Sequence, residues 1–426
     1  MHDFACDLCV VGGGPAGLAA AITAARHRRK VVLVDDEPTP GGRIWRRDHG
    51  AIPPRARRMI ADAARAGVRN LSGARVVDAA SQKELFATTP DGPARIRCER
   101  LVLALGASEL FLPFPGWTLP GVCGVGGLQA LCKGGLDVRG KRIAIAGSGP
   151  LLLAVAAALR GKGAVVVGIH EQAEAADVRR FGRGLVRHPR KLAQALALLA
   201  RLRGVPRHHA SWPLRAEGDD RVRRVVMRGA TEEIVHEIDW LACGFGLVPN
   251  LDVAALLGCA IDDEHVVVDG FGRTSLRGVF AAGEIAGIGG VDCAIAEGVT
   301  VGHAACDEHH AARRAERRAA RERRFARVLE QTFVLRPEVS ALATDDTLAC
   351  RCEDVALGRA RACVDLREAK LLTRAGMGPC QGRVCGPALR HLCGWRRDRV
   401  RPPLLPITFD EVRALGSPGA TQEKPR

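Results

Sequence analysis

The chain has 426 residues, 47% of them hydrophobic, which is enough apolar sequence for two or three separate cores. Its formal net charge is +16, but the basic residues are dispersed, only 4% of residues are aromatic, and there is no tyrosine. With few platforms for base stacking and no recognisable module, this composition argues against nucleic-acid binding. No uncharged apolar run reaches about 18 residues and the first strand begins near the N-terminus, so we predict no transmembrane segment, no secretory signal and a cytoplasmic location.

The first predicted elements form a strand, a glycine turn and a helix. A buried strand over residues 7–11 leads into Gly12-Gly-Gly14-Pro-Ala-Gly17 and an alanine-rich helix. Gly12 makes the tight turn, Gly14 lets the backbone approach a pyrophosphate, and Gly17 lets the helix pack closely on the strand. The phosphates would lie at the helix N-terminus. A second strand ends in Asp35, which is placed to accept hydrogen bonds from ribose hydroxyls, so the pattern predicts a dinucleotide site.

A second unit of the same kind interrupts the first. The strand over residues 101–105 is followed by a proline-rich crossover, and then by a strand over 142–146 and Gly147-Ser-Gly149 before an apolar helix. Leu152 replaces the third glycine, and its side chain should push the helix away from the strand. The unit is therefore either a working NAD(P) site or a fold unit retained without dinucleotide binding. Leu152 favours the second interpretation.

The chain then returns to the first domain. A strand near residues 278–282 carries Gly283 and Glu284 at its carboxyl end, where the ligands of parallel sheets gather. A helix over residues 294–303 follows, and its N-terminus could face a flavin ring and stabilise negative charge on it. Glu284 alone is equally typical of a solvated loop carboxylate, but together with the N-terminal motif it predicts a cofactor contact.

An arginine-rich segment follows. Residues 313–327 contain eight arginines and two glutamates in an alanine-rich stretch, which predicts a helix. The simplest interpretation of these charges is a solvated helix face. The alternative is a docking surface for an acidic partner subunit.

Two close pairs of cysteines lie near the C-terminus, Cys350 with Cys352 and Cys380 with Cys385. A pair one residue apart can reach a metal centre only from irregular backbone, because alternate side chains of a regular strand share a face but cannot curl around an ion. Zinc ribbons usually space each pair by two to four residues. The pattern therefore favours an iron-sulfur cluster over zinc, with buried structural cysteines as a third interpretation.

No redox-active cysteine pair accompanies the predicted nucleotide site. Residues 41–47 contain no cysteine, and Cys132 has no partner at the spacing of a redox motif. Cys6 and Cys9 have that spacing, but they should lie on opposite faces of the first strand as core residues. The fifteen scattered cysteines suit reduced thiols better than a disulfide framework.

These motifs together resemble a known family. VVGGGPAG, the PGGRIW segment at 40–45, the PGWTLPGV segment at 115–122 and VFAAGE look like those of two-dinucleotide-domain flavoproteins. With LACRCEDV and GMGPCQGRVCG, nearly the whole chain resembles a narrower group, the α-type subunits of hydrogen cyanide synthase, opine oxidase and D-hydroxyproline dehydrogenase. The resemblance implies an α/β fold with two dinucleotide-binding, Rossmann-like domains, one inserted in the other, plus a small C-terminal iron-sulfur domain.

The resemblance also implies cofactors and partners. Carried over by position, the residues that would contact FAD are Gly12, Gly14, Ala16, Gly17, Asp35, Gly42, Arg43, Gly283 and Glu284. The residues that would hold a 2Fe-2S cluster are Cys350, Cys352, Cys380 and Cys385. The implied partner is an amino-acid-oxidase-like subunit with its own flavin and the substrate pocket, and the resemblance leaves room for a small ferredoxin-like subunit.

No catalytic base can be assigned in this chain, so we interpret it as an electron relay for the oxidation of D-hydroxyproline, an opine or a glycine-type substrate. One alternative is an NAD(P)H-dependent FAD/iron-sulfur reductase. Another is a nucleotide-binding assembly subunit without a working flavin.

The predicted domain boundaries follow from these motifs. The FAD-binding domain takes residues 1–112 and 244–310, and the inserted NAD(P)-type domain takes 113–243. An arginine-rich helical linker over 311–339 leads to the 2Fe-2S domain at 340–398. Residues 399–426 form a tail, which we expect to be disordered from Gly416 onward because it is rich in glycine, proline, serine and charge.

Overall fold

The computed structural model describes residues 1–262, 264–396 and 400–415, so the tail from Gly416 lies outside the described residues. The described chain separates into two compact units. The first contains residues 1–107, 249–327 and the described residues from 400 onward. The second contains residues 108–248 and the described residues from 328 to 396.

The strands of the described chain are short except for β1 and β6. They are β1 (His2–Val11), β2 (Val31–Asp35), β3 (Arg69–Ser72), β4 (Arg75–Ser81), β5 (Glu84–Thr89), β6 (Gly92–Leu103), β7 (Ala107–Glu109), β8 (Val122–Gly124), β9 (Arg142–Gly147), β10 (Val165–Glu171), β11 (Arg207–His209), β12 (Pro213–Glu217), β13 (Arg224–Met227), β14 (Ile234–Glu237), β15 (Trp240–Gly244), β16 (Leu247–Pro249), β17 (Ile261–Asp262), β18 (His265–Val266), β19 (Val279–Ala281), β20 (Leu348–Cys350) and β21 (Val355–Ala356).

The helices of the described chain are mostly 8 to 15 residues long, and one is much longer. They are α1 (Pro15–Arg26), α2 (Pro54–Arg65), α3 (Val125–Lys133), α4 (Leu151–Gly161), α5 (Ala175–Gly184), α6 (Pro189–Arg201), α7 (Asp252–Leu257), α8 (Gly290–Ala304), α9 (His309–Thr332), α10 (Pro337–Ser340), α11 (Leu357–Arg361), α12 (Leu366–Thr373), α13 (Cys385–Cys393) and α14 (Phe409–Leu415). None of these helices combines the length and the apolarity that a membrane crossing requires.

The first unit is built on one sheet with the order β3-β2-β1-β6-β5-β4, and β19 pairs with the end of β6 on the edge opposite β1. Strands β1, β2, β3, β6 and β19 run parallel, whereas β4 and β5 extend the sheet in antiparallel fashion. The register sets Val11 beside Val34 and Leu103, and Leu103 beside Ala281. The carboxyl ends of four parallel strands therefore meet at one edge, where a nucleotide would bind.

Small residues let α8 lie close to α1. A Cβ on Gly298 would overlap the carbonyl oxygen of Ala16, and a Cβ on Gly302 would lie 2.6 Å from the Cβ of Thr23. Residues 16–25 of α1 are all buried, so the alanines of this helix pack between the sheet and α8. This packing fixes the direction from which the N-terminus of α1 approaches the sheet edge.

The placement of Cys6 and Cys9 on opposite strand faces was wrong. Both side chains pack in the same core cluster, together with Cys98. The alternation of side chains breaks near Asp7, where the consecutive N–H groups of Asp7 and Leu8 both donate to the carbonyl oxygen of Lys30. The pairing of β1 with β6 keeps one register across this point, so neither strand contains an inserted residue. The two thiols are buried in the core, as predicted.

The second unit contains a parallel sheet with the order β11-β10-β9-β15-β8 and an antiparallel sheet of β12, β13 and β14. Leu152 of α4 is buried in its core. A Cβ on Gly244 of β15 would lie 4.0 Å from Leu152 Cδ2, an ordinary contact distance, so the leucine side chain packs against this strand without a clash. The helix-to-strand contact that the third glycine normally allows is therefore made around a larger side chain.

The segment that carries the four C-terminal cysteines has a small core of its own, formed by Val355, Leu357, Ala360, Leu389 and their neighbours. It also contacts the rest of the second unit. The indole Nε1 of Trp117 donates to the carbonyl oxygen of Leu348 at 2.5 Å. Strand β20, which contains Cys350, is therefore tied to a residue near the start of this unit.

Candidate functional site

The first glycine turn is tightly packed on its sheet side and open on the other. Gly12 has a φ of +105° and donates its N–H to Val34 O at 2.8 Å. A Cβ here would overlap the carbonyl oxygen of Ala104, and a Cβ on Gly17 would overlap that of Gly12. A Cβ on Gly14, in contrast, would meet no protein atom within 4 Å. This is the arrangement that a pyrophosphate needs beside a helix N-terminus.

Asp35 lies next to this turn at the end of β2 and is only 4% exposed. Its Oδ1 accepts the N–H of Glu37 at 3.0 Å, but its Oδ2 has no hydrogen-bond partner among the described residues. A Cβ on Gly13 would overlap this Oδ2, so the glycine turn and the carboxylate are in contact. Burial raises the pKa of Asp35 to about 7. A buried oxygen without a partner is rare in native proteins, and a ribose hydroxyl would supply the missing hydrogen bond.

A second loop closes over the turn. The N–H of Gly41 donates to Gly13 O at 2.7 Å. Gly42 has a φ of +61°, and a Cβ on it would lie 3.0 Å from the Cα of Gly14. Arg43 is exposed and its Nη1 reaches the carbonyl oxygen of Ala107 at 3.4 Å. The predicted residues Gly42 and Arg43 therefore lie beside the predicted phosphate turn.

Gly283 and Glu284 complete this edge of the sheet. Gly283 follows β19, and a Cβ on it would lie 2.8 Å from the Cβ of Ala16. Glu284 is half-buried, and burial raises its pKa while the charge of Arg43 opposes the rise. A Cβ on Gly106 would lie 3.9 Å from Glu284 Oε2, so this carboxylate faces the carboxyl end of β6.

Glu297 is a residue that sequence reasoning missed. Its Oε2 accepts the N–H of Gly283 at 2.9 Å, and its Oε1 lies 3.3 Å from Arg323 Nη1. Arg323 also donates to Glu316 Oε1 at 2.8 Å. The signal was present, because Glu297 is the single carboxylate in the apolar helix predicted over residues 294–303.

All nine residues carried over as FAD contacts lie along or beside the carboxyl ends of the parallel strands of the first unit. The site offers an open space at a helix N-terminus, an unpartnered buried carboxylate oxygen and a basic side chain. These features fit the pyrophosphate and ribose of FAD. The contact of each individual residue with FAD stays a prediction.

The four C-terminal cysteines form two contacting pairs, and each pair joins one motif to the other. Cys385 lies next to Cys350, and Cys352 lies next to Cys380, close enough for each thiol to affect the titration of its neighbour. Cys350 and Cys385 are buried, Cys380 is half-buried and Cys352 is exposed. Within the described part of the chain, no three of these sulfur atoms lie within 4.8 Å of one another.

The loop around Cys380 is arranged to favour a thiolate. Burial raises the pKa of the Cys380 thiol, but the N–H groups of Val384, Gly382 and Arg383 and the Cys352 thiol outweigh it, so the pKa is lowered. Glycines make room for the loop, since a Cβ on Gly378 would overlap the Cβ of Cys352. Thiolates are the form in which cysteine binds metals.

The second glycine turn is covered by the chain itself. Ser148 Oγ donates to Phe333 O at 3.0 Å, and Gln172 Nε2 donates to Val334 O at 2.9 Å. Gln172 Oε1 accepts the N–H of Arg336 at 2.9 Å. A Cβ on Gly149 would lie 3.7 Å from the ring of Phe333. Residues 333–336, which we call the covering segment, therefore lie on the turn where a nicotinamide dinucleotide would bind.

A buried carboxylate satisfies the N–H groups of this second turn. Glu171 Oε2 accepts the N–H of Gly149 at 2.7 Å, and its Oε1 accepts that of Ala173 at 2.9 Å. Burial raises the pKa of Glu171 to about 7. The turn that would bind a pyrophosphate thus already faces an acidic group and a covering segment, and neither feature was foreseen from the sequence.

The comparisons with known proteins agree with this fold. Residues 6–298 match the pyridine nucleotide-disulphide oxidoreductase family. The chain is 33% identical to an opine oxidase subunit of Rhizobium meliloti, with 97% of this chain and 99% of that protein aligned. It is 32% identical to the HcnB subunit of hydrogen cyanide synthase from Pseudomonas aeruginosa, with 96% and 98% aligned.

Among solved structures, the chain resembles L-proline dehydrogenase from P. horikoshii. The TM-score is 0.66 at 18% identity, with 96% of this chain and 80% of that chain covered. These findings confirm the predicted α/β fold of Rossmann-like dinucleotide-binding type and the predicted resemblance to subunits of opine oxidase and hydrogen cyanide synthase. The chain therefore belongs to the pyridine nucleotide-disulphide oxidoreductase family and is an FAD-dependent oxidoreductase.

Proposed function

We propose that this chain is the electron-transfer subunit of a heteromeric dehydrogenase or oxidase, in which a partner subunit oxidises an amino acid, an imino acid or an opine. The observation that carries this proposal is its nearly full-length similarity to proteins that are named as subunits of opine oxidase and of hydrogen cyanide synthase. Each of those names describes one component of a larger enzyme. The proposed partner is an amino-acid-oxidase-like flavin subunit that contains the substrate pocket.

The proposed cofactors are FAD in the first unit and a 2Fe-2S cluster in the second. FAD takes up electrons in pairs and can release them singly, whereas such a cluster takes up one electron at a time. Gly12, Gly14 and Gly17 would accommodate the pyrophosphate, and Asp35 Oδ2 would accept a ribose hydroxyl. Gly283, held by Glu297, would fix the loop that presents Glu284 to the cofactor.

The pairing of the thiols supports a two-iron cluster over zinc. A tetrahedral zinc ion with sulfur ligands at about 2.3 Å brings all four sulfur atoms within about 4 Å of one another. Here the described sulfur atoms form two pairs, Cys350 with Cys385 and Cys352 with Cys380. Two pairs match two iron ions, because each iron would be held by two thiolates, one from each motif.

The covering segment argues against the rival function, an NAD(P)H-dependent reductase. In that function electrons would enter from a nicotinamide bound at the second glycine turn. Phe333 lies against Gly149, and Ser148 and Gln172 are hydrogen-bonded to the covering segment. Binding of a dinucleotide would have to displace these contacts and place its pyrophosphate beside Glu171.

The proposal predicts that the isolated chain does not oxidise amino acids. The test measures dye-linked oxidation of D-hydroxyproline, octopine, nopaline and glycine, first with the FAD-loaded chain alone and then with the complex purified from its native cells. We expect activity with at least one substrate in the complex and none with the chain alone. Turnover by the isolated chain would contradict the proposal, and rapid bleaching of its flavin by NADH would favour the reductase.

A further inference from the structure

Three histidines converge in the second unit. His170 lies in β10, His208 in β11 and His236 in β14. Each offers one ring nitrogen, and these three atoms all lie within 4.8 Å of one another. His170 is fully buried, and the other two are half-buried. No other group of three or more such side chains in the described residues has this spacing.

The backbone brings the three side chains together from two sheets. His170 and His208 are register partners in the parallel pair β10 and β11, and their rings stack with centroids 4.7 Å apart. His236 comes from the antiparallel sheet, and its Nε2 lies 3.0 Å from Nε2 of His170. The cluster therefore joins an edge of the parallel sheet to an edge of the antiparallel sheet.

The hydrogen bonds around His170 determine which of its nitrogens has a free lone pair. Ser211 Oγ donates its hydrogen to Arg228 O at 2.5 Å, so it must accept the hydrogen bond from His170 Nδ1 at 2.8 Å. His170 is therefore protonated on Nδ1, and the lone pair of Nε2 points toward His236. A histidine that binds a metal typically donates its other N–H in this way, which fixes its tautomer and ring orientation.

Gly168 leaves space next to these nitrogens. It lies on the same face of β10 as His170, two residues earlier, and a Cβ on it would be 2.9 Å from His170 Nε2 and 3.2 Å from His236 Nε2. Because His170 Nδ1 donates its hydrogen to Ser211 Oγ, its Nε2 carries the lone pair of a neutral imidazole next to this space. Neutral imidazoles are the form that binds zinc.

We propose that His170, His208 and His236 bind a zinc ion that links the two sheets of the second unit. Three ring nitrogens within 4.8 Å of one another can become three ligands of a tetrahedral zinc ion, whose nitrogen ligands lie about 3.3 Å apart, and they leave a fourth position for water. Zinc binding requires the ring of His208, which is stacked on His170, to rotate so that one of its nitrogens points at the ion. The absence of a carboxylate from the cluster favours zinc over calcium or magnesium. The competing interpretation is a hydrogen bond between His170 and His236 with no metal.

The test compares zinc binding by the full-length chain and by three single variants. His208→Gln and His236→Gln each remove a ligand, whereas His209→Gln changes the exposed neighbour of His208 and is the matched control. Each protein is loaded with zinc, freed of excess metal and analysed for zinc per chain. Because all four proteins keep the same cysteines, zinc bound by thiols contributes equally to each.

We expect wild type and His209→Gln to hold one more zinc per chain than the two ligand variants. Competition with a chromophoric chelator should show affinity falling by more than about 100-fold, since loss of an outer partner alone costs 10- to 100-fold. Zinc should raise the melting temperature of the first two proteins only. Equal zinc content in all four would overturn the proposal.

Two further variants decide the matter if a ligand variant fails to fold. Gly168→Ala keeps all three imidazoles and places a methyl group 2.9 Å from His170 Nε2. Ser211→Ala removes the acceptor of the His170 Nδ1–H. We expect each to lower zinc affinity at least about 10-fold while the metal-free protein folds. Unchanged affinity in both variants would show that no zinc ion binds at these nitrogens.

Discussion

Replacement of Asp35 by asparagine should stabilise the flavin-free protein at high pH and weaken FAD binding. The carboxyl group has a pKa of about 7 in the folded chain, against 3.8 for an ordinary aspartate, and burial is the largest cause. An acid with a raised folded pKa destabilises the fold once it ionises. The penalty is absent below about pH 3.8, grows as pH rises and is complete above about pH 7.

The size of the effect follows from the two pKa values. At pH 5 the carboxyl group is mostly ionised in the unfolded chain but not in the folded chain, and this lowers the free energy of unfolding by about 1.5 kcal/mol. At pH 8 the full pKa shift lowers the free energy of unfolding by about 4 kcal/mol. Between these pH values the stability difference between Asp35→Asn and wild type should therefore change by about 2 to 3 kcal/mol. Titration of all other groups cancels in this comparison.

The assay is urea unfolding of flavin-free protein at pH 5 and pH 8, with Asp36→Asn as the control because its side chain is exposed. FAD titration of the same proteins should show affinity at least about 10-fold weaker for Asp35→Asn, since hydrogen bonds to charged groups contribute about 1.5 to 3 kcal/mol. If Asp35→Asn and wild type changed equally in stability between the two pH values, the buried-carboxylate reasoning would be refuted. Unchanged FAD affinity would remove Asp35 from the cofactor site.

Three other predictions test the remaining sites. Metal and sulfide analysis should show that Cys380→Ser loses iron and acid-labile sulfide. Flavin binding should be retained, because the thiols belong to the other unit. Full retention of iron and sulfide would contradict the ligand assignment. Gly14→Val should fold, since a Cβ there meets no protein atom, but should lose FAD by absorbance, whereas Gly161→Val, also in open space, should keep it. Stoichiometric flavin in Gly14→Val would move the phosphate turn elsewhere. Assembly with the partner subunit should weaken as the salt concentration is raised, because seven arginines of α9 are exposed and salt screens their charges. Analytical ultracentrifugation measures this assembly, and salt-independent assembly would exclude α9 as the docking surface.

The first glycine turn was predictable because each of its requirements is local. Gly12 needs a positive φ, Gly17 needs a close approach to the turn, and both follow from spacing within six residues. The position of Asp35 next to the glycine turn was also predictable from the sequence, because neighbouring parallel strands such as β1 and β2 end at the same edge of a sheet. The parts of the site that lie within one strand-turn-helix unit were thus visible in the sequence.

Features that depend on distant backbone were not predictable. Cys6 and Cys9 lie in one core cluster because the side-chain alternation breaks where Asp7 and Leu8 share the carbonyl oxygen of Lys30, and no pattern in β1 indicates this break. The histidine cluster draws on three strands in two sheets, so none of its members has a local motif. The covering segment is hydrogen-bonded to the rest of the second unit through main-chain carbonyls and one main-chain N–H, which leave no trace in residue types.

The covering segment of the chain itself occupies the second glycine turn. Residues 333–336 are anchored there, and Trp117 holds Leu348 just before the first cysteine pair, so the intervening chain is tethered at both ends. A truncation after residue 327 would therefore remove the covering segment and expose the second glycine turn. We therefore expect the cysteine segment and the inserted fold to unfold together, because these contacts join them within one compact unit.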